Sequence, residues 1–426
     1  MLPPTWFQTT PKNYTYGTHR FCDPEATYQA ISPHFKEMGI TRIADVTGLD
    51  TIGIPVCMAV RPNSNSLSVT QGKGLTLMLA KVSAAMEAVE QYHAENIIQP
   101  MVTATFQELV QKEKACDPVE LNLHPLSVYR GDLPIPWIRG FDLIQNIETW
   151  VPYDLIHTNY LYAPSRLPIF YMTSNGLASG NHILEAASHA ICEVVERDAT
   201  LLWELCNENG EQDGSYVDPD TIDSPSCREL LEKIDRAGMV VRISHQTSDI
   251  GIPSFGCDIM EKPPISPLLS AAIFGGFGCH LSKEIALLRA ITEAVQSRLT
   301  IISGSRDDIR RKFYSRVKST LYQDAWEKRY TGKKTTVDYR KLPSLETGSL
   351  EEDVYIQLSL LQKAGFRQAV LVDLTLPEIG IPVVRVVLPR MEQSYEDSLT
   401  RRLGLRARIK LVEHIMLPKI LGNLSE

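Results

Sequence analysis

The spacing of apolar positions changes several times along the chain, and each change predicts an element. An extended lead containing Pro and Tyr covers 1–20, after which Asp23-Pro24 offers a helix start, with Tyr28 and Ile31 on one face and Pro33 set to end or kink it. TRIADVTGLDTIGIPVCMAVRP mixes β-branched residues with Gly and Pro, as strands joined by tight turns do. Helical spacing takes over across 73–95, where Leu75, Leu79, Val82, Met86 and Val89 form an apolar stripe. Residues 99–172 are richer in Pro and aromatic side chains, and clusters such as LPIPWIRGFDLI and LPIFYM predict strands with long connections. Two more helices are predicted, from about Ile183 to Glu204 and from about Ser282 to Thr300, with strands AGMVVRISHQT and LLSAAIFGG between them. VYIQLSLLQKAG, QAVLVDLT, IPVVRVVLP and a final helix around RARIKLVEHIM return to the α/β pattern. No repeat is evident in the residues. The prediction is an α/β fold with mixed sheets, an N-terminal lead at 1–16 and one composite domain over 17–426.

Composition narrows the class. In 426 residues, 43% are hydrophobic and 22% charged, which excludes a disordered acidic segment and predicts a soluble globular protein. The 43 Lys plus Arg against 51 Asp plus Glu give a net charge of -8, so no overall field attracts a polyanion and no nucleic-acid partner is expected. A local exception is 306–341, where twelve Lys or Arg and five Asp or Glu interleave with Phe313, Tyr314, Tyr322, Trp326, Tyr330 and Tyr339. That segment reads as a solvated helical arm or as a surface for a peptide, protein or RNA partner. The eight cysteines include no CxxC pair, which argues against a Cys-based zinc site. The first residues lack the pattern of a signal peptide, and no apolar stretch reaches the ~20 residues of a membrane span, so a cytoplasmic location is expected.

Three predicted helices carry one kind of polar row. Ser83, Glu87 and Glu90 follow steps of four and three, which set them on one stripe. Glu185, His189, Glu193 and Glu196 repeat the step in the second helix, and Arg289, Glu293 and Gln296 in the third, continued by Thr300. A solvated face is the ordinary explanation of such a row. Against it, Glu87 and Glu90 have no Lys or Arg three or four places away, and their neighbours are small or apolar, as in KVSAAMEAVE and EAASHAICEVVE. Glu193 has Arg197 within reach along the helix. Divalent cations among the carboxylates would relieve the repulsion. Clustered Glu with Ser, Asn and Gln suits Mg²⁺, which takes oxygen ligands and bridges to phosphates.

Arg197 and Arg289 would neutralise remaining phosphate charge, and Ser179-Gly180-Asn181 before the second helix offers backbone donors and a cap. No GxxxxGK[ST] loop is present, so an ordinary P-loop is excluded. Lys73 in QGKG belongs either to a flexible helix start or to a phosphate-proximal loop. His189 and His280 read as core histidines or ligands, Cys192 as core rather than nucleophile, and Arg20 and Arg61 as ion-pair residues or ligand-facing ones.

RIADVTGLDTIGIPV, GKGLTLMLAKVSAAMEAVEQYHAE, SNGLASGNHILEAASHAICEVVERDA and CHLSKEIALLRAITEAVQSRL, in that order, resemble the successive signature blocks of the YcaO family across most of 17–310. The resemblance implies a composite YcaO-type fold with helices lining an acidic nucleotide site, and an enzyme that uses ATP and Mg²⁺ to activate a peptide-backbone amide. It implies catalytic roles for Glu87, Glu193, Arg197 and Arg289, and metal ligation by Glu87, Glu90, Glu185, Glu193 and Glu196. Nucleotide contacts are implied for Arg20, Lys73, Ser83, Ser179, Asn181, Glu185, Arg197, Arg289 and Glu293; His189 stays outside this set.

In the implied mechanism a nucleophile attacks the amide carbon, the oxyanion is phosphorylated by ATP, and phosphate leaves. A Cys, Ser or Thr of the substrate peptide as nucleophile gives an azoline, and a sulfur donor gives a thioamide. GTHR followed by ADVTGLD resembles the subgroup accompanied by a TfuA-like partner protein and linked to thioamide formation, and the end MLPKILGNLSE lacks the proline-rich tail common in azoline formers. Thioamide formation in a ribosomally made peptide or protein is therefore the leading expectation. The alternatives are an azoline-forming cyclodehydratase and a non-catalytic scaffold supporting ribosomal-protein modification. A homodimer is expected from the resemblance.

Overall fold

The computed structural model describes residues 9–161, 168–207, 216–262, 273–309, 336–393 and 403–413. Its architecture is mixed α/β, built on three sheets. Strands β1 (Arg42–Asp45), β2 (Val56–Val60) and β3 (Val69–Lys73) form an antiparallel meander. A six-stranded sheet joins β4 (Met101–Ala104), β5 (Ile135–Asp142), β6 (Ile147–Pro152), β7 (Leu177–Ser179), β13 (Val370–Asp373) and β14 (Val383–Val387). A five-stranded sheet joins β8 (Tyr216–Val217), β9 (Met239–His245), β10 (Ser254–Glu261), β11 (Phe274–Cys279) and β12 (Thr336–Val337), with only β8 and β12 parallel. The helices are α1 (Pro24–Ile31), α2 (Leu77–Glu95), α3 (Phe106–Val110), α4 (Ile183–Asn207), α5 (Pro225–Arg236), α6 (Lys283–Ser303), α7 (Leu350–Lys363) and α8 (Leu405–Leu411).

Each predicted polar row lies on a long helix entered from a strand, and all three entries share one register. β3 ends at Lys73 and α2 begins at Leu77; β7 ends at Ser179 and α4 begins at Ile183; β11 ends at Cys279 and α6 begins at Lys283. Each link thus has three residues, and each row of four-then-three spacing starts at the same helical position, at Ser83, His189 and Arg289. A repetition that residue identity hides is therefore present in the backbone. Thr76 caps α2, its side chain accepting from Leu79 N–H.

The packing of α2 corrects the predicted stripe. Ala80, Ala84 and Ala88 are fully buried, whereas of the predicted stripe Val89 is fully buried and Leu75, Leu79, Val82 and Met86 are half-buried. The cause is the close approach of β3: a Cβ on Gly72 would meet Ala84 N at 1.9 Å and Ala80 O at 2.4 Å. Only small residues fit such an interface. Gly278 repeats the device, where a Cβ would meet Ala286 O at 2.0 Å and Ala290 N at 2.7 Å on α6. Helix α4 is buried on nearly every side, between β7 and β14, α7 and β11, so its polar row faces the interior rather than solvent.

The lead is strapped to the body. Thr10 N–H donates to Glu351, Pro11 bridges to Ser349, and Lys12 pairs with Asp353 at 2.6 Å, both side chains almost fully buried. The end of the basic-aromatic segment is also integrated: β12 pairs with β8, and Tyr339 is 1% exposed. Residues 310–335 of that segment lie outside the described residues. Pro33 stands in a 3-10 turn that ends α1, and α5, unanticipated, is capped by Ser224 with Pro225 at its first position. Arg61 is structural, buried against Glu95 at 2.8 Å and Met38 O at 3.0 Å. Among the described residues no helix is long and apolar enough to cross a membrane.

Candidate functional site

On α2, Glu87 accepts a hydrogen bond from Gln71 N–H of β3 at 2.9 Å. Glu90 reaches the neighbouring unit, accepting from Ser179 N–H and Ser179 Oγ at 2.8 Å each. Burial raises both carboxyls above their ordinary range, Glu90 to about 8, with the charges of Glu87 and Glu193 adding to the effect. Ser83 is half-buried on the same helix.

On α4, Glu185 is fully engaged. One oxygen accepts from Asn181 N–H and Nδ2, both at 3.3 Å, and from Arg20 at 3.4 Å; the other accepts from Phe21 N–H at 2.7 Å. Thr27 Oγ1 donates to Asn181 Oδ1 at 3.0 Å, which fixes the turn before the helix. Glu193 and Glu196 follow one and two turns beyond His189. Burial raises both, Glu196 to about 7 with the Glu293 charge contributing, and the Glu196 Oε2 atom is buried without a hydrogen-bond partner. Burial works against the charge of Arg197, but Glu193 and Glu196 outweigh it and hold the guanidinium firmly ionised.

On α6, Glu293 repeats the arrangement of Glu87: it accepts from Phe277 N–H of β11 at 3.3 Å, again from a residue sixteen positions back. Its other oxygen pairs with Lys73 of β3, so the first and third units are bridged. Burial opposes the Glu293 charge, yet Lys73 and Arg197 bring the carboxyl below its usual range. Arg289 lies among Glu196, Glu293 and Glu193, its Nε buried without a partner.

A small, partly open cleft runs along the first half of α4, lined by His19, Arg20, Glu185, His189, His280 and Arg289 among others. The His19 and His280 rings meet edge to face at 5.3 Å. Burial lowers the pKa of His189 and His280 far below the ordinary imidazole value, so both are neutral near pH 7. Cys192 also lines the cleft; its Sγ accepts from Gln357 Nε2 at 3.1 Å.

The structure thus brings Lys73, Glu87, Glu90, Ser179, Glu193, Glu196, Arg197, Arg289 and Glu293 into one electrostatic neighbourhood, with Arg20 and Glu185 lining the adjoining cleft and Asn181 bonded to Glu185. Two residues left aside by the sequence reading belong to the same ground. His189 takes the helical position of Ser83 and Arg289, and its spacing was the available signal. Arg385 lies in β14, 3% exposed, with its charge acting on Glu193; its signal was a lone cation inside the apolar run IPVVRVVLP.

Among the described residues no three His, Cys, Asp or Glu side chains form a ready cage for one metal ion. The carboxylates stand near one another without forming such a cage, an arrangement compatible with Mg²⁺, an ion that keeps waters and shares phosphate oxygens with its protein ligands. The unpartnered Glu196 Oε2 and Arg289 Nε, one acceptor and one donor, fit a cation and an anion arriving together.

Comparison with known proteins bears on this arrangement. The family model described as YcaO cyclodehydratase, ATP- and Mg²⁺-binding, matches residues 71–392. A Rhizobium leguminosarum bv. trifolii protein from the tfuA 3′ region is 36% identical over 395 residues, 91% of this chain and 92% of that protein. A Methanothermobacter thermautotrophicus protein is 34% identical over 397 residues, 90% of this chain and 97% of its own. Among solved structures, a heterocyclase in complex with substrate and cofactor superposes with a TM-score of 0.78 at 23% identity, covering 96% of this chain but only 57% of that longer protein. YcaO from Methanopyrus kandleri bound with AMPPCP and Mg²⁺ gives 0.72 at 22% identity, covering 91% and 99%. At these identities the superpositions establish the fold.

Proposed function

This chain belongs to the YcaO family of ATP- and Mg²⁺-binding enzymes, and from that premise we propose that it activates a peptide-backbone amide by ATP-dependent phosphorylation of the amide oxygen. The carrying observation is the set of desolvated carboxylates facing arginines, with Glu90 raised to about 8, Glu196 raised to about 7 and one Glu196 oxygen unpartnered. Unsatisfied charge of this kind is costly in a finished protein interior and is relieved by a bound metal and phosphate.

When bound, the nucleotide supplies the phosphoryl group and Mg²⁺ screens its charge. Glu87, Glu90, Glu193 and Glu196 would hold the metal ions. Arg197 and Arg289, kept ionised by their acidic neighbours, would donate to phosphate oxygens, and Lys73 keeps Glu293 ionised. Glu185, fixed by Arg20, Asn181 and Phe21 beside the cleft, would serve the nucleotide or a metal ion, since a hydrogen-bonded carboxylate oxygen keeps a lone pair for either. Glu185 and Glu196 stand roughly 16 Å apart along α4 at the helical rise.

Two products remain in play, each with its own support. Ring closure to an azoline, with a Cys, Ser or Thr of the substrate as nucleophile, has the wider support: the matched family model carries the cyclodehydratase description, and the heterocyclase shares the fold. Thioamide formation with a sulfur donor and a TfuA-like partner protein is favoured by the relative from the tfuA 3′ region.

The test is incubation of the protein with Mg²⁺, ATP and candidate peptides, with ADP release and peptide mass as readouts. Peptide-dependent ADP release is expected. Loss of water from the peptide identifies the azoline, and exchange of oxygen for sulfur, given sulfide or the partner protein, identifies the thioamide. An absence of ATP binding in the presence of Mg²⁺ would overturn amide activation and leave the scaffold role.

A further inference from the structure

Two of the helices that carry polar rows are tied by ion pairs to the hairpin of another unit, and one of these ties is built with a residue from outside the repeated units. The hairpins end alike: Ile52-Gly53-Ile54-Pro55 leads into β2, Ile250-Gly251-Ile252-Pro253 into β10 and Ile379-Gly380-Ile381-Pro382 into β14, with the glycines at φ of 72°, 82° and 70°. Helix α6 supplies its own cation to the first hairpin. Arg298 Nε and Nη2 donate to Asp50, between β1 and β2, at 2.9 and 3.3 Å. The position on α4 that matches Arg298, fifteen residues from the start of each helix, is Asp198, and the β9–β10 connection that it faces carries Asp249. Helix and hairpin therefore offer one carboxylate to another.

Arg406 of α8 stands between them. Its Nε and Nη2 donate to Asp198 at 3.1 and 2.9 Å, and its Nη1 and Nη2 donate to Asp249 at 3.0 and 2.6 Å. Among the described residues no other cation is in contact with either carboxylate. Asp198 is 0% exposed, so the pair it forms is not a screened surface contact. The guanidinium also lies over the Phe366 ring, 5.2 Å from its centroid. Helix α8 is held in turn by Glu392, whose oxygens accept from Gly404 N–H and Ala407 N–H at 2.9 Å each, and whose own N–H donates to Asp198 at 3.0 Å. Ala407 packs with Leu201, Leu202 and Leu205 of α4.

This joint borders the candidate site on both sides. Asp198 follows Arg197 and points about 100° away from it around the helix, so Arg406 reaches the site through α4 and not by contact. On the other side β10 pairs with β11 through Ser254 and Cys279, and β11 leads into α6, which carries Arg289 and Glu293. We propose that Arg406 is a positioning residue: by joining α4 to the β9–β10 hairpin, it sets Glu196 and Arg197 against Arg289 and Glu293 at the spacing that the bound nucleotide and metal require. The identity of the ligand rests on the ATP and Mg²⁺ reading, whereas the joint itself does not.

The test separates stability from position. Binding of β,γ-methylene-ATP with Mg²⁺ is followed by calorimetry, beside the thermal midpoint, for the wild type and for Arg406→Met, Arg406→Lys, Asp198→Asn, the double variant Asp198→Asn/Arg406→Met, and the exposed control Arg408→Ala. Arg406→Met should lower the midpoint, because Asp198 stays buried without its cation, and should weaken binding by about tenfold or more, as charged donors move off line. Arg406→Lys should fall between, since it keeps the charge and loses the fork that spans two carboxylates. Asp198→Asn alone should bind like the wild type, because its amide oxygen still accepts from Arg406. The double variant should recover the midpoint, having no lone buried charge, and still bind weakly, because nothing joins helix to hairpin. Arg408→Ala should change neither quantity.

Wild-type affinity in Arg406→Met, or recovery of affinity together with stability in the double variant, would overturn the proposal by leaving Arg406 a residue of stability alone; unfolding of the double variant would do the same. A full loss of affinity already present in Asp198→Asn would overturn it by placing the effect in residue 198 and not in the link. Failure of the wild type to bind the nucleotide analogue would instead overturn the ATP and Mg²⁺ reading, and the proposal with it.

Discussion

Replacing Gly72 by alanine separates the packing of the site from its chemistry. The added Cβ would lie 1.9 Å from Ala84 N, 2.4 Å from Ala80 O and 2.6 Å from Ser83 C, all backbone atoms of α2 that cannot rotate away. Ordinary contact begins near 3.4 Å, so strand and helix must part by about 1.5 Å. Overpacking of this kind costs about 1–3 kcal/mol, and the upper end applies where no side chain can give way. The same displacement carries Glu87 away from Gln71 N–H, now at 2.9 Å, and out of hydrogen-bond range. A shift of about 1 Å in a positioned group costs about 100-fold in rate, so peptide-dependent ADP release should fall by at least that factor.

Gly278→Ala should behave alike, through Ala286 O at 2.0 Å and Ala290 N at 2.7 Å. Gly48→Ala is the control: it is exposed, with nothing within 4 Å of its would-be Cβ, and it should change neither property. Urea denaturation and a coupled ADP assay measure the two effects. If Gly72→Ala keeps its denaturation midpoint and full turnover, the close strand–helix contact does not set the carboxylate's position.

Glu87→Gln and Glu193→Gln should each abolish ADP release while leaving the denaturation midpoint unchanged or higher, since each removes a buried charge; full activity in both variants would sink the carboxylate assignment. His157 is 2% exposed and burial, helped by Arg385, lowers its pKa from 6.5 to about 4. The folded state therefore binds its proton more weakly than the unfolded state, so the contribution is complete above pH 6.5 and lost as pH falls towards 4. Urea melts should show the wild type losing about 3 kcal/mol more than His157→Gln between pH 7 and pH 4, and equal slopes would refute the assignment. Lys12→Ala should cost about 3 kcal/mol, because it leaves Asp353 buried with only the donors of Thr347; a change under about 0.5 kcal/mol would show that the strap carries no stability.

The long helices were legible because their apolar and polar positions keep one period over many turns, as in Ile183–Asn207 and Lys283–Ser303. Which face of α2 is buried was not legible. A stripe of Leu, Val and Met outweighs a stripe of alanines on any hydrophobicity count, and only the approach of Gly72 makes the alanine face the inner one. The rows on α2, α4 and α6 could be read from spacing, but contacts such as Glu90 with Ser179 and Lys73 with Glu293 join residues far apart in sequence, and no local pattern encodes them. Arg385 was missed for the opposite reason: a charge within IPVVRVVLP interrupts a strand pattern, and a pattern-based reading treats the interruption as noise. A buried, incompletely paired cation in a central strand is costly, and no local sequence pattern reports that cost.

The backbone repetition gives the site a direction. At the first position of the three rows stand Ser83, His189 and Arg289; at the second, Glu87, Glu193 and Glu293; at the third, Glu90, Glu196 and Gln296. The invariant second position is acidic in all three units, and in two of them the carboxylate accepts a hydrogen bond from the strand sixteen residues back. A common backbone therefore delivers three carboxylates to one space, which is the requirement for holding metal ions against a polyphosphate. The positions that differ break the symmetry. Arg289 brings a cation to one side, His189 a neutral ring to the cleft wall, and Gln296 removes one negative charge from the unit already bridged by Lys73. Three identical units would have no reason to bind an asymmetric ligand in one orientation; these three, differing at the first and third positions, do.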